Sequence, residues 1–199
     1  MRTETTKTDI YKFSKLSEEA QATAIENNYD YNVQDTYWSE CTIDDAKEIA
    51  KLFGLDINKI DFTGFAAQGD GACFEGSYSY RKGGFKAVKE YAPLDEKLHG
   101  IVAGLQEVQR KNFYKLSAQC KHSGHYYYSW CMSVSVEHED FPYRDLGDTD
   151  NAIEQSLRDF ADWIYSNLDE QYTYSTSAEA IQASIEANEM EFTVDGAGY

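Results

Sequence analysis

Leu116-Ser117-Ala118-Gln119-Cys120-Lys121-His122-Ser123-Gly124-His125-Tyr126-Tyr127-Tyr128-Ser129-Trp130-Cys131-Met132-Ser133-Val134-Ser135-Val136 is the stretch that decides the fold. In its second half Tyr126, Tyr128, Trp130, Met132, Val134 and Val136 alternate with Tyr127, Ser129, Cys131, Ser133 and Ser135. A period of two marks a strand with one covered and one open face. Leu116, Ala118 and Cys120 carry the same period just upstream. A two-residue turn at Ser123-Gly124 would set apolar positions against polar ones. A three-residue loop, His122-Ser123-Gly124, pairs Cys120 with Tyr126 and Ala118 with Tyr128 and keeps the faces matched. The odd loop is therefore expected, with Gly124 left-handed and the aromatic alternation packed into the core.

Working outward, Ile57 to Phe65 and Ala72 to Tyr80 flank the turn cluster Gln68-Gly69-Asp70-Gly71, a second hairpin. Phe74, Tyr78 and Tyr80 fall on one face of its second strand, and Glu75, Ser77 and Ser79 on the other. Between the hairpins, Phe85 to Tyr91 predicts a short helix stopped by Pro93. A longer one follows, with Leu98, Ile101, Val102, Leu105 and Val108 at helical spacing. Toward the N-terminus, Ser17 is an N-cap for a helix reaching about Asn28. Ile43, Ala46, Ile49, Ala50 and Phe53 line one face of a second helix from about Thr42, with Gly54 just past its end. Beyond Pro142, Ile153, Leu157, Phe160, Ile164 and Leu168 form an amphipathic stripe, and a last helix covers Ser177 to Asn188. Helix pairs thus alternate with hairpins. That order predicts an α+β fold, an antiparallel sheet of about four strands with helices on one face. One domain is expected over residues 1–199, with an acidic helical subregion over 145–190.

The net charge is −17, from 18 basic and 35 acidic residues in 199. This argues against direct binding to nucleic-acid phosphates and against docking on an anionic membrane. Leu, Ile, Val and Phe are sparse, but 16 Tyr and 3 Trp supply the large side chains that disordered chains lack. The charge is polarised. Residues 137–199 hold sixteen acids and two bases, whereas Arg81 to Lys121 holds nine bases and four acids. The polar first residues contain no apolar leader segment, and no apolar run is long enough to span a membrane. Four scattered cysteines without a C-x-x-C pair suit reduced thiols in a cytosolic protein.

The glycine-rich Gly69-to-Gly76 run lacks the Lys-Ser/Thr of a phosphate-binding loop and reads as a turn. His122 and His125 flank the other turn, and two histidines alone do not define a metal site. Neither a cofactor nor a metal is expected. Asp70, Cys73, Glu75, His122 and His125 are nevertheless the residues that would build a small-molecule or hydrolytic site, if the two hairpins converge. The acids Glu154, Asp159, Asp162, Asp169 and Glu170 lie mostly off the amphipathic stripe. They are the residues expected to meet a basic partner.

Tyr11-Lys12-Phe13 with Leu16-Ser17-Glu18-Glu19-Ala20, and Phe62-Thr63-Gly64-Phe65 with Gln68-Gly69-Asp70-Gly71-Ala72-Cys73-Phe74-Glu75, resemble a family of small phage and prophage proteins. The likeness continues through Tyr91-Ala92-Pro93, Lys111-Asn112-Phe113-Tyr114 and His122-Ser123-Gly124-His125-Tyr126-Tyr127. Where that family often has Trp before Gln-Gly-Asp-Gly, this chain has Ala66-Ala67. Members are mostly uncharacterised, and some are labelled antitoxins of toxin–antitoxin stability systems. The resemblance implies a phage accessory protein in the cytoplasm of the bacterial host, and it implies no catalytic residues. The function expected is non-enzymatic: an acidic binding protein that neutralises a host protein with a basic surface, as an anti-defence inhibitor or antitoxin.

Overall fold

A computed structural model of the protein describes residues 2–3, 7–141 and 146–199. Pro142 and Asp145, where the chain was expected to break and the acidic subregion to begin, lie outside the described residues, as do Met1 and residues 4–6 of the polar start.

The alternating segments become four antiparallel strands, β2 (Leu55–Phe62), β3 (Ala72–Ser79), β4 (Leu116–His122) and β5 (Met132–His138), in the order β2-β3-β4-β5. With α-helices packed against this sheet, the class is the expected α+β. Phe74, Gly76 and Tyr78 are buried on one face of β3, whereas Ser79 on the opposite face is exposed. Gln119, Lys121, Ser133, Ser135 and Glu137 are likewise exposed. The helices therefore cover one face, and the other is open.

The β4–β5 hairpin corrects the expected loop. Leu116 pairs with His138, Ala118 with Val136, Cys120 with Val134 and His122 with Met132. Residues 123–131, not a three-residue turn, make the connection, and a 3-10 turn at Ser129–Cys131 closes it. The faces still match, because the observed pairing differs from the expected one by an even shift. Alternation specifies parity and leaves every even shift open. Tyr126 and Trp130, read as core, are 62% and 64% exposed. Amphipathic rings satisfy a strand pattern without needing burial. Gly124 does take a positive φ, +119°.

The chain divides into two compact units, Met1–Glu40 with Glu170–Tyr199, and Cys41–Asp169. The second holds the four-stranded sheet, α3 (Gly84–Tyr91), α4 (Glu96–Lys111) and most of α2 (Tyr37–Phe53) and α5 (Asp148–Ser175). Asp35 accepts a hydrogen bond from the Tyr37 amide, which is why α2 starts ahead of Thr42. It ends as expected at Gly54, whose φ is +95°. The α5 stripe is buried throughout: Ile153, Leu157, Phe160, Ile164 and Leu168 are solvent-free. Phe160 meets Phe53 and Phe74 edge-on, at 5.1 and 6.1 Å between ring centres, tying α2 and β3 to α5.

In the first unit, Ser17 caps α1 (Glu18–Asn27), and Ser177 caps α6 (Ala178–Ala187); each hydroxyl accepts from a main-chain amide 3.2 Å away. Phe13, Leu16, Ala20, Ala24, Ile181, Ile185 and Phe192 form its core. Two short strands that periodicity cannot reveal, β1 (Tyr11–Lys12) and β6 (Glu191–Phe192), pair antiparallel beside it. Among the described residues, no helix is long and apolar enough to cross a membrane.

Candidate functional site

Antiparallel order decides where the two hairpin loops go. β3 begins beside the end of β4, so the β2–β3 loop and the β4–β5 loop emerge at the same end of the sheet. They touch. A Cβ at Gly71 would stand 2.6 Å from the Tyr128 Cα, so only glycine allows the two backbones to come this close. Gln68, Gly69, Asp70, Tyr126 and Tyr128 line an open groove there. The sequence-predicted residues are thus brought together in part, each in a different state.

Asp70 turns back on its own loop. Its carboxylate accepts from the amides of Ala67 at 2.6 Å and Ala66 at 3.0 Å. Those bonds, the one from Ala67 foremost, hold its pKa below the ordinary carboxylate value. This is a loop-shaping carboxylate rather than an acid poised for proton transfer.

Cys73 stands directly across from Asp61 of β2, and Glu75 across from Lys59. Alternation puts Cys73 on the open side of the sheet, yet it is only 1% exposed. The β4–β5 loop explains the discrepancy. It returns over this end of the sheet, and its 3-10 turn at Ser129–Cys131 packs against β3. Burial first, then the Asp61 carboxylate and Cys131, push that thiol up to about 12. Cys120, on the covered face, is likewise raised to about 12 by burial. A nucleophilic cysteine works as the thiolate, and at neutral pH both thiols are protonated.

His122 closes the group. Its Nε2 lies 2.9 Å from the Tyr126 carbonyl, and its ring packs on Tyr127 at 5.1 Å. One ligating atom from each of Asp61, Cys73 and His122 lies within 4.8 Å of the others. Sequence reading missed Asp61, which no motif marks. Pairing Phe62 with Ala72 at the hairpin base would have placed it opposite Cys73. His125 is exposed just beyond Gly124 and does not join this cluster. Glu75 is half-buried.

The acids of α5 separate into two groups. Glu154 forms an ion pair with Arg158 at 2.6 Å and is partly buried. Arg158 also donates to the Met132 carbonyl and stacks over Trp130, 4.5 Å from its ring centre. Asp159, Asp162 and Asp169, spaced by three and seven residues, run along the helix opposite the buried stripe. Asp162 and Asp169 are exposed, as is Glu170. Among the described residues, no ion pair within 4.0 Å involves any of these four.

The chain belongs to a family defined by a domain of unknown function, DUF8835, whose model matches residues 38–178. No curated protein and no solved structure matches it.

Proposed function

We propose that this protein is a non-enzymatic, phage-encoded binding protein that neutralises a bacterial host protein, as an anti-defence inhibitor or antitoxin. Its contact surface is the acidic ridge of α5. The observation that carries this is the row Asp159, Asp162 and Asp169, set on α5 opposite its buried stripe and, among the described residues, without an ion-pair partner within 4.0 Å. Glu154 is held by Arg158 and Asp70 by its own loop, and Gln155 donates to Asp159 at 2.7 Å, whereas Asp162 and Asp169 stand exposed. Acids without a counter-charge beside them create a field that attracts a basic surface and favours orientation on encounter. The likeness of the chain to phage and prophage proteins supplies the host setting.

Affinity capture from bacterial lysate, using wild type beside the Asp159→Lys/Asp162→Lys/Asp169→Lys variant, tests this. A partner retained by wild type, released as salt rises, and lost by the variant is expected. A partner that the variant binds equally well at every salt concentration would overturn it.

One observation favours a second reading, a small-molecule site. The β2–β3 and β4–β5 loops converge at one end of the sheet around the groove lined by Asp70, Tyr126 and Tyr128. Small-molecule binding there would be lost in Tyr128→Ala and kept in the ridge variant.

A further inference from the structure

We propose that Asp61, Cys73 and His122 form a binding site for one zinc-class divalent ion, built across β2, β3 and β4 beneath the β4–β5 loop. This assignment is independent of the acidic ridge. It rests on the geometry of the three donors and on the hydrogen bond that orients the imidazole.

The three donors come from three neighbouring strands, Asp61 and Cys73 as a cross-strand pair and His122 from the last position of β4. Ligands on a tetrahedral zinc, bonded at about 2.0–2.3 Å, stand about 3.3–3.8 Å apart. The three ligating atoms already lie within 4.8 Å of one another, a distance that side-chain rotation can close. One sulfur, one imidazole nitrogen and one carboxylate oxygen form a borderline-soft donor set. It suits zinc rather than magnesium or calcium, which select oxygen.

The imidazole supplies the second observation. A carbonyl can only accept, so the contact from His122 to the Tyr126 carbonyl places the ring proton on Nε2. In the neutral ring, the form that binds a metal, the lone pair is then on Nδ1. A backbone carbonyl holding one ring N–H is the arrangement that orients metal-ligating histidines.

Two groups oppose the ion, and both make the proposal testable. Lys59 holds the Asp61 Oδ2 at 2.9 Å, leaving the other carboxylate oxygen for a metal. Cys73 enters as a neutral thiol. Binding replaces its S–H bond with a metal–sulfur bond, and one proton goes to solvent for each ion taken up. Three protein ligands leave a fourth position for water or a small anion.

The test is titration of the full-length, reduced and chelator-stripped chain with Co²⁺, then Zn²⁺. We expect a thiolate-to-cobalt charge-transfer band that saturates at one equivalent, releases one proton and is bleached by Zn²⁺. The band should vanish in Cys73→Ala and survive in Cys41→Ala and Cys131→Ala. Asp61→Asn and His122→Ala should each weaken binding by at least about tenfold. Lys59→Ala should strengthen it, since Lys59 is a surface residue competing for the carboxylate. Absence of a band in the folded wild type would overturn the proposal, as would a band that leaves with Cys131 rather than Cys73. Should Cys73→Ala fail to fold, the partly exposed Asp61 and His122 decide the matter: unchanged affinity in both variants would overturn it.

Discussion

Asp70 and Cys73 show how a residue's type and its state diverge. Both sit in a glycine-flanked turn that reads as chemistry, and residue type was all that the sequence offered. What each does depends on the direction of one carboxylate and on a loop that returns from residues 123–131. For Asp70 the consequence is local. Its pKa lies below the ordinary 3.8, chiefly through the bond from the Ala67 amide. A carboxyl depressed in the fold stabilises fully above its unfolded pKa, and loses that contribution as pH falls through its lower folded value. Hydrogen exchange, corrected for intrinsic rates, should therefore show constant protection of the Ala66 and Ala67 amides from neutrality to about pH 4 and a fall below it. Asp70→Ala should remove that protection at every pH; loss of protection already between pH 7 and 5 in wild type would contradict the assignment. For the thiols the sign runs the other way. Desolvation raises Cys73 and Cys120 to about 12, so both remain protonated and shielded at pH 8, whereas Cys41 is exposed. Brief alkylation of the native protein followed by mass spectrometry should label Cys41 and spare Cys73 and Cys120.

At the scale of elements, caps and periodicity carried most of the fold. Ser17, Ser177 and Gly54 mark helix ends by local hydrogen bonding and local backbone freedom, which neighbouring residues alone determine. Strand register is different, because it depends on which partner packs where. The aromatic alternation of residues 126–130 matched a strand while its rings were destined for a loop, so the site beneath that loop stayed hidden. Gly71 holds this arrangement together. In Gly71→Ala the new methyl would meet the Tyr128 backbone at 2.6 Å, forcing the two loops apart. Cys73 should then become alkylatable in the native protein; continued protection would show that the β4–β5 loop does not cover it. The α4–β4 turn offers a separate check. Buried Gln109 donates to the Leu116 carbonyl at 2.7 Å and accepts from the Leu116 amide at 3.2 Å, bridging helix to strand. Gln109→Ala would leave both groups of Leu116 buried without partners. The expected loss is about 2–4 kcal/mol of unfolding free energy by urea titration. A loss below about 0.5 kcal/mol would mean that water replaces the amide there.

Across the whole molecule, a net charge of −17 is an energetic burden that the fold does not require. Like charges held on a compact surface repel, and salt relieves that repulsion by screening. The melting temperature should therefore rise with NaCl from low to physiological ionic strength, opposite to a protein held together by surface ion pairs. The same logic separates a functional ridge from a structural one. If Asp159, Asp162 and Asp169 supported α5, neutralising them would cost stability. With no ion pair to them among the described residues, they instead contribute repulsion. Asp159→Asn, Asp162→Asn and Asp169→Asn together should leave thermal stability unchanged or raise it, within the few tenths of a kcal/mol typical of surface changes. Salt dependence of the melting temperature should shrink in the same variant. A fall in stability would place these acids in the service of the helix and remove the ground for a partner. Preserved stability combined with loss of the captured protein would assign their charge to recognition, because the only property then changed is the field that the ridge presents.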